Sequence, residues 1–338
     1  MSSFVGLDIA VLVPCFNEAA AIAKVVQDFK AALPTATIYV YDNNSTDDTS
    51  TVAAAAGAEV HHELIRGKGN VVRRMFQDIE ADVYVMVDGD DTYEAAVAGQ
   101  LVDRLVTENL DMVVGRRIET HQAAYRAGHR LGNRVLTGLV GWLFGTQIAD
   151  MLSGYRVFSR RFVKSFPSFS REFEIETELT VHAMQMRMAV AEVETNYKER
   201  PPGSTSKLRT FRDGWRILLT ITNLMRNERP LMFFSLIGLA NLIVAVVLGI
   251  PVLLHYIDTG LVPRFPTAVL CSALVVIAVL CVATGLILDL VAHVRREAKR
   301  LVYLQHPAPR HAATEQRPRP TAVDRPAPPA DRGSPSVS

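Results

Sequence analysis

Two stretches, Leu231–Leu254 and Thr267–Leu288, run for 24 and 22 residues without a charged side chain. About 20 apolar residues cross the hydrocarbon core of a bilayer as a helix, so each run predicts a transmembrane span. Gly238, Gly249 and Pro251 in the first run are tolerated inside membrane helices. Arg226 and Arg229 precede the first span, Arg295, Arg296, Lys299 and Arg300 follow the second, and the connection His255–Arg264 holds one basic and one acidic residue. This bias places both ends of the hairpin in the cytoplasm and its short loop outside. The expectation is a multi-pass protein of the inner (plasma) membrane, with both termini cytoplasmic and two spans that offer a surface for homo-oligomer formation. A hairpin buried in a soluble core is the competing reading, disfavoured by the length of both runs. Cys271 and Cys281, inside the second span, behave there as small apolar residues.

The remainder has a different composition. The 338 residues carry 36 Lys+Arg against 35 Asp+Glu, a net charge of +1 that gives no electrostatic reason to expect nucleic acid. Three cysteines without a C-x-x-C or Cys/His cluster exclude a disulfide scaffold and a zinc site. No basic region followed by an apolar run opens the chain, so no secretory signal is expected. Eight of the 17 prolines fall in 305–338, which predicts a disordered tail. Between 209 and 229, Phe211, Trp215, Leu218, Leu219, Thr222 and Met225 recur at helical spacing among Arg209, Arg212, Arg216 and Arg226. This is the pattern of an amphipathic helix lying in the membrane interface.

Residues 1–208 alternate short apolar runs with helical patterns. Ile9–Pro14, Thr37–Asp42, Glu59–His62, Val83–Asp88 and Met112–Gly115 read as strands. Ala19–Leu33, Asp47–Ala56, Gly69–Glu80 and Ala95–Glu108 read as helices. The alternation predicts an α/β domain with a doubly wound, mainly parallel sheet. Ligands of such sheets bind outside the carboxyl ends of the strands, where Asn17, Glu18, Asp42, Asp88 and Asp90 fall.

The sequence Asp88-Gly89-Asp90 follows a strongly apolar strand. Two carboxylates at that spacing can meet one hard divalent cation, and Mg²⁺ or Mn²⁺ favours oxygen ligands shared with substrate phosphates. Alone the pattern is as common in a solvated turn; its place at the fourth strand end favours a site. Asn17 and Ser45 have the positions of helix N-caps, whereas capping leaves Asp42 and the Asn pair after it unexplained. A carboxylate at such a strand end can bind a ribose or base. Arg66-Gly67-Lys68-Gly69-Asn70, before a helix, offers Lys68 and backbone N–H groups to phosphate, or is a plain turn.

The ordered motifs VPCFNEA, YDNNSTDDT, RGKGN and DGDD resemble the nucleotide-sugar-binding half of family 2 glycosyltransferases with the GT-A fold. Gly115-Arg116-Arg117, Asp150-Met151-Leu152-Ser153-Gly154-Tyr155-Arg156 and Gly203-Ser204-Thr205-Ser206-Lys207 narrow the resemblance to the polyprenyl-phosphate glycosyltransferases, the group of dolichol-phosphate mannose and glucose synthases and bacterial undecaprenyl-phosphate enzymes. The match covers about residues 8–208. It implies that Pro14, Asn17, Glu18 and Asp42 bind the donor nucleoside, and that Asp88 and Asp90 meet the metal and diphosphate. Arg117, with Arg130, grips the acceptor phosphate. Asp150 sits beside the transferring sugar near Ser153 and Arg156, and Arg200, Ser206 and Lys207 close over the diphosphate. Glu178 matches an acidic position facing the site, although its neighbours Glu174 and Glu176 fit a solvated helix face equally well. The chain departs from the family's pattern after its second Asp, where Asp91-Thr92-Tyr93-Glu94 stands, and across Arg126–Asn133.

The implied reaction is metal-dependent and inverting: a hexose passes from a nucleotide sugar, a UDP-sugar before GDP-mannose, to polyprenyl phosphate at the cytoplasmic face. It supplies a lipid-linked sugar for cell-envelope glycosylation. A processive polysaccharide synthase is the first alternative, yet the Q-x-x-R-W motif of that group is missing. A non-catalytic membrane scaffold is the second, opposed by the joint presence of Asp88, Asp90, Arg117, Asp150 and Lys207. No G-x-G-x-x-G follows the first strand, which removes a dinucleotide-dependent dehydrogenase.

Overall fold

A computed structural model of the chain describes residues 6–119, 148–167, 175–198, 222–223 and 225–309, with positions 138 and 141. Seven strands form one sheet in the order β3-β2-β1-β4-β6-β5-β7. They are β1 (Ile9–Cys15), β2 (Thr37–Asp42), β3 (Glu59–His62), β4 (Val83–Met86), β5 (Met112–Glu119), β6 (Arg156–Ser159) and β7 (Val190–Tyr197). All pairs are parallel except those of β6, which runs antiparallel between β4 and β5. The doubly wound, mainly parallel sheet therefore stands. The first three strand positions agree with the sequence pattern to within a residue, while β4 stops at Met86 and β5 continues to Glu119.

Strand β1 shows how the two layers form. Successive side chains of a strand point to opposite faces. Ile9, Val11 and Val13 enter one core with helices α1 (Ile22–Ala32) and α4 (Ala98–Thr107). Ala10 and Leu12 enter the other, with α3 (Lys68–Asp78), α5 (Arg160–Ser165) and α6 (Ile175–Gln185). Both faces being covered, all five are at most 1% exposed, which is why the strand reads as a continuous apolar run. The helices bury one stripe each: Ile22, Val25, Val26 and Phe29 in α1, and Leu101, Val102, Leu105 and Val106 in α4. Truncating Phe29 to Ala would cost about 3–5 kcal/mol. Helix α2 (Thr49–Ala55) follows β2.

The two apolar runs form helices α7 (Pro230–Thr259) and α8 (Phe265–Leu304), of 30 and 40 residues. Both are long and apolar enough to cross a membrane, and only 11% of each apolar window is buried within the protein. The connection between them is shorter than the ten residues expected, because α7 continues to Thr259. The larger departure is α8, which runs 16 residues past Leu288. Its last turns pack on the α/β domain: Lys299 donates to Gln185 Oε1 at 3.0 Å, and the Tyr303 hydroxyl reaches both oxygens of Asp111 at 3.1 and 3.3 Å. The Arg161 guanidinium, ion-paired with Asp111, lies 5.0 Å over the Tyr303 ring. Lys299, read as part of a membrane-flanking cluster, thus belongs to a brace between the apolar helices and the α/β domain. Of the expected interfacial helix 209–229, Thr222, Asn223 and 225–228 are helical, Arg229 is the N-cap of α7, and the rest lies outside the described residues, as does the tail beyond 309.

Candidate active site

Three loops at the carboxyl ends of β1, β2 and β3 are tied to one another. The Asn17 amide donates to Ser45 Oγ at 2.9 Å, Glu18 N to Thr49 Oγ1 at 2.9 Å, and Thr46 N to Asn17 Oδ1 at 2.7 Å. Asn17 and Ser45 therefore link loops instead of capping helices; the N-cap residues of α1 and α2 are Ala21 and Asp48. Asn17 holds φ at +55° and Asn44 at +61°, left-handed values that Asn tolerates better than most residues. The Asn pair pins the third loop. Asn43 donates to the carbonyls of Glu63 and Ile65 at 2.8 and 2.9 Å and accepts from Gly67 N at 2.7 Å, while Asn44 donates to Leu64 O at 2.8 Å. That fixes the start of α3 and with it Lys68.

The buried Asp42 carboxylate accepts from both the Ser45 amide and hydroxyl and from the Ser50 hydroxyl. Pro14, paired with Tyr41 across β1 and β2, is half-buried beside it. Cys15 lies beneath. Burial pushes its thiol up, and the charges of Glu18, Asp42, Asp88 and Asp90 push it further. Four carboxylates thus gather at the ends of β1, β2 and β4.

Gly89 has a steric reason to separate Asp88 from Asp90, since a Cβ there would lie 2.6 Å from Cys15 Sγ. Asp90 is 4% exposed and accepts from the Thr92 hydroxyl at 2.6 Å. Asp88 Oδ1 receives the Lys68 ammonium at 2.5 Å, and the same nitrogen reaches Glu176 Oε1 at 2.5 Å. Burial opposes charge on Lys68, yet the two carboxylates overcome it and hold the amine protonated well above its ordinary value. Among the described residues no three His, Cys, Asp or Glu side chains form a metal cage. Asp88 and Asp90 offer the carboxylate oxygens that a hard divalent cation favours.

Across the mouth, at the end of β5, Arg117 forms a bidentate pair with Asp150, Nε to Oδ2 at 2.7 Å and Nη2 to Oδ1 at 2.8 Å. The guanidinium lies 5.5 Å from the Tyr197 ring centroid. Burial raises the Asp150 carboxyl, but the hydrogen bonds and charge of Arg117 more than offset this and hold it below the usual carboxylate range. Glu192 accepts from the amides of Ala149 and Asp150 at 2.9 and 3.1 Å, fixing the loop from below.

The following residues join the two halves. Gly154 packs against Asp88, where a Cβ would lie 2.4 Å from Oδ2, and its amide donates to the Tyr93 hydroxyl at 2.9 Å. Ser153 donates to Gly115 O at 2.6 Å. Arg156 is fully buried and donates to Ser153 O at 2.9 Å, to Met151 O and to Thr180 Oγ1 at 2.8 Å. It supports the loop from inside the core, and burial draws its guanidinium down to about 10. Arg130, Arg200, Ser206 and Lys207 lie outside the described residues.

The acidic pair on α6 corrects the sequence reading. Glu176, for which a solvated face was one of the readings, is 5% exposed and bound to Lys68, whereas Glu178 is less buried and acts on Lys299 of α8. The signal was in the helix itself: Ile175, Thr177, Leu179, Thr180, Val181 and Ala183 leave little polar face, and a helix apolar all round is buried. Tyr93, Tyr197 and Glu192 were not expected at the site.

Residues 10–166 match the model of a family described as "Glycosyl transferase family 2". "Glycosyltransferase AglJ" of Haloferax volcanii is 32% identical over 296 residues, covering 87% of this chain and 97% of its own. "Dolichyl-phosphate hexose transferase" of the same organism is 27% identical over 229 residues, 68% of this chain and 99% of its own. Among solved structures, glucosyl-3-phosphoglycerate synthase from Mycobacterium tuberculosis, in complex with Mn²⁺, UDP and glucosyl-3-phosphoglycerate, aligns with a TM-score of 0.54 at 24% identity. It covers 66% of this chain and 80% of that one, a likeness of fold.

Proposed function

This chain belongs to glycosyl transferase family 2, and we propose that it moves a hexose from a nucleotide-diphosphate sugar, a UDP-sugar before GDP-mannose, to a polyprenyl phosphate at the cytoplasmic membrane face. One observation carries the reading. A single mouth holds the Asp88/Asp90 pair with Lys68 on one side and the Arg117–Asp150 pair on the other, on a domain braced against two apolar helices. The relatives that act as hexose transferases, one of them named for dolichyl phosphate, support the acceptor class.

The chemistry asks for these parts. A nucleoside diphosphate leaves the anomeric carbon, and leaving-group charge is the main barrier. A divalent cation on Asp88 and Asp90 would supply charge stabilisation there, as the Mn²⁺- and UDP-bound fold neighbour suggests. Lys68 adds a cation already placed beside Asp88. Glu18, Asp42, Asn17 and Pro14 offer acceptors and a rigid wall to the nucleoside. Arg200, Ser206 and Lys207 are proposed to close over the diphosphate, and Arg130 to join Arg117.

The acceptor phosphate is largely dianionic at neutral pH and is already a nucleophile. Bringing it to a second anion costs Coulomb repulsion unless cations screen both. Arg117 does this on the acceptor side. Asp150, held ionised by Arg117, is a poor general base; it aligns the guanidinium and stabilises positive charge developing on the sugar. The transfer is a single in-line displacement with inversion.

Both ends of the hairpin touch the same catalytic domain, Glu228 through Gln185 and Lys299 through Gln185. They therefore share one side of the bilayer, and the basic residues flanking them favour the cytoplasmic side. Purified protein, Mn²⁺, undecaprenyl phosphate and a panel of labelled nucleotide sugars test the reading: one sugar should appear on lipid. Absence of label with every donor, in protein that still binds UDP, would reject the polyprenyl acceptor.

A further inference from the structure

A second polar cavity lies away from the mouth, where the domain meets the membrane helices. It is a cleft of about 590 Å³ between the α6–β7 turn and the membrane-side ends of α7 and α8. Three guanidinium groups from three separate elements line it: Arg187 of the turn, Arg229 directly before α7, and Arg296 of α8. Ile148, Met184 and Val190 form its apolar wall. Val190 lies five residues along β7 from Thr195, the register partner of Arg117, a separation of about 16 Å by strand rise.

Glu228, the acid beside the cleft, is hydrogen-bonded by Gln185, which in turn receives Lys299, and it lies in the field of Lys299, Arg296, Arg295 and Arg229, one acid among four bases. Among the described residues neither Arg187 nor Arg296 forms an ion pair. Arg229 precedes the first residue of α7, and Arg296 follows the last long apolar stretch of α8 by five residues from Val291. Both therefore stand at headgroup height if the helices span as proposed. Arginine clusters at this height with an apolar wall bind lipid headgroups carrying phosphate.

We propose that this cleft binds the headgroup phosphate of an anionic membrane phospholipid, such as phosphatidylglycerol, as a site separate from the one that transfers sugar. The lipid's glycerol and upper acyl carbons lie along Ile148, Met184 and Val190, and its phosphate meets Arg187 and Arg296. Because Arg187 belongs to the catalytic domain and Arg229 and Arg296 to the anchor, a bound lipid ties the two together. The inference rests on the membrane placement proposed above but on neither the donor nor the acceptor.

The test is native mass spectrometry of the full chain released from vesicles of phosphatidylcholine containing 20% phosphatidylglycerol (about one lipid in five by design). The wild-type protein should retain one phosphatidylglycerol. The variant Arg187→Gln/Arg296→Gln should retain it roughly thirtyfold more weakly, at about fivefold per arginine removed. Arg187→Lys/Arg296→Lys, which keeps the charge, should hold most of the binding if the neutral variant fails to insert. Equal retention by the neutral and wild-type proteins, or no retained phosphatidylglycerol at all, overturns the proposal. Displacement of that lipid by undecaprenyl phosphate at equal mole fraction also overturns it, because the cleft is then the acceptor's own entrance. Failure of sugar transfer with every donor, with lipid retention intact, would count against the proposed reaction and leave this site standing.

Discussion

The two halves of the mouth handle charge in opposite ways. At the ends of β1, β2 and β4, Glu18, Asp42, Asp88 and Asp90 gather, with the Lys68 ammonium bonded to the Asp88 carboxylate. At the end of β5, Arg117 and Asp150 already satisfy one another through two hydrogen bonds. Among the described residues the first half gathers four carboxylates from separate strand ends, whereas the second brings one acid and one base together. A gathering of carboxylates suits a ligand that arrives with its own cation, and an acid–base pair suits one that is positioned without rearrangement.

That contrast can be broken in order of severity. Replacing Asp90 by Asn removes a carboxylate from the first half and should lower transfer about a thousandfold or more, with membrane insertion unchanged. Labelled-sugar incorporation measures it; near-normal transfer that still requires metal would move the metal elsewhere. Arg117→Ala should lower kcat/KM for the acceptor about a hundredfold with the KM for donor nearly constant. It should also destabilise the domain by about 3 kcal/mol, because Asp150 is left buried and unpaired. Arg117→Ala/Asp150→Ala separates the two effects: stability returns and acceptor use does not. Equal losses for donor and acceptor would unseat the division between the halves.

Gly154→Ala tests the seam. The new methyl meets the Asp88 carboxylate at 2.4 Å and should cost about tenfold in turnover through displacement of Asp88. Metal titration should show a weakened response, whereas a fall in acceptor affinity alone would place Gly154 with the other half. The smallest effect concerns pH. Because Asp150 is held below the ordinary carboxylate range, it stays ionised from pH 5 upward, and its pairing is lost only as pH falls through that lowered value. The acid limb of kcat/KM should then follow the acceptor phosphate near pH 6 and keep its position in Asp150→Asn. A shifted limb would make Asp150 a titrating base.

Much of this was legible in the residues. The parallel core strands announced themselves through full burial, and the D-x-D through its place after one of them. The helix containing Glu176 was harder, because a carboxylate is read as exposed until its partner is known, and Lys68 lies 108 residues away. Strand β7 escaped because Glu192, Glu194 and Asn196 interrupt it; Glu194 and Asn196 are exposed at the sheet edge, alternating with buried Val193 and Thr195, while Glu192 is turned to the Asp150 loop. Strand β6 is only four residues long and begins with Arg156, a charge that looks like a loop residue until its carbonyl partners are seen. The brace made by α8 was hidden for a simpler reason: Arg295 to Arg300 fit a membrane-flanking signal equally well.

That brace has a rotational consequence. Helix α8 is continuous from Phe265 to Leu304, so its two ends turn together. One residue added between Val291 and Arg296 would swing Tyr303 by about 100° around the axis, away from Asp111. Seven would bring the face round again to within about 20° and lower the domain by about 10 Å. Length changes in this segment are therefore governed by angular phase first and by distance second, as in a geared shaft whose teeth are Lys299 and Tyr303.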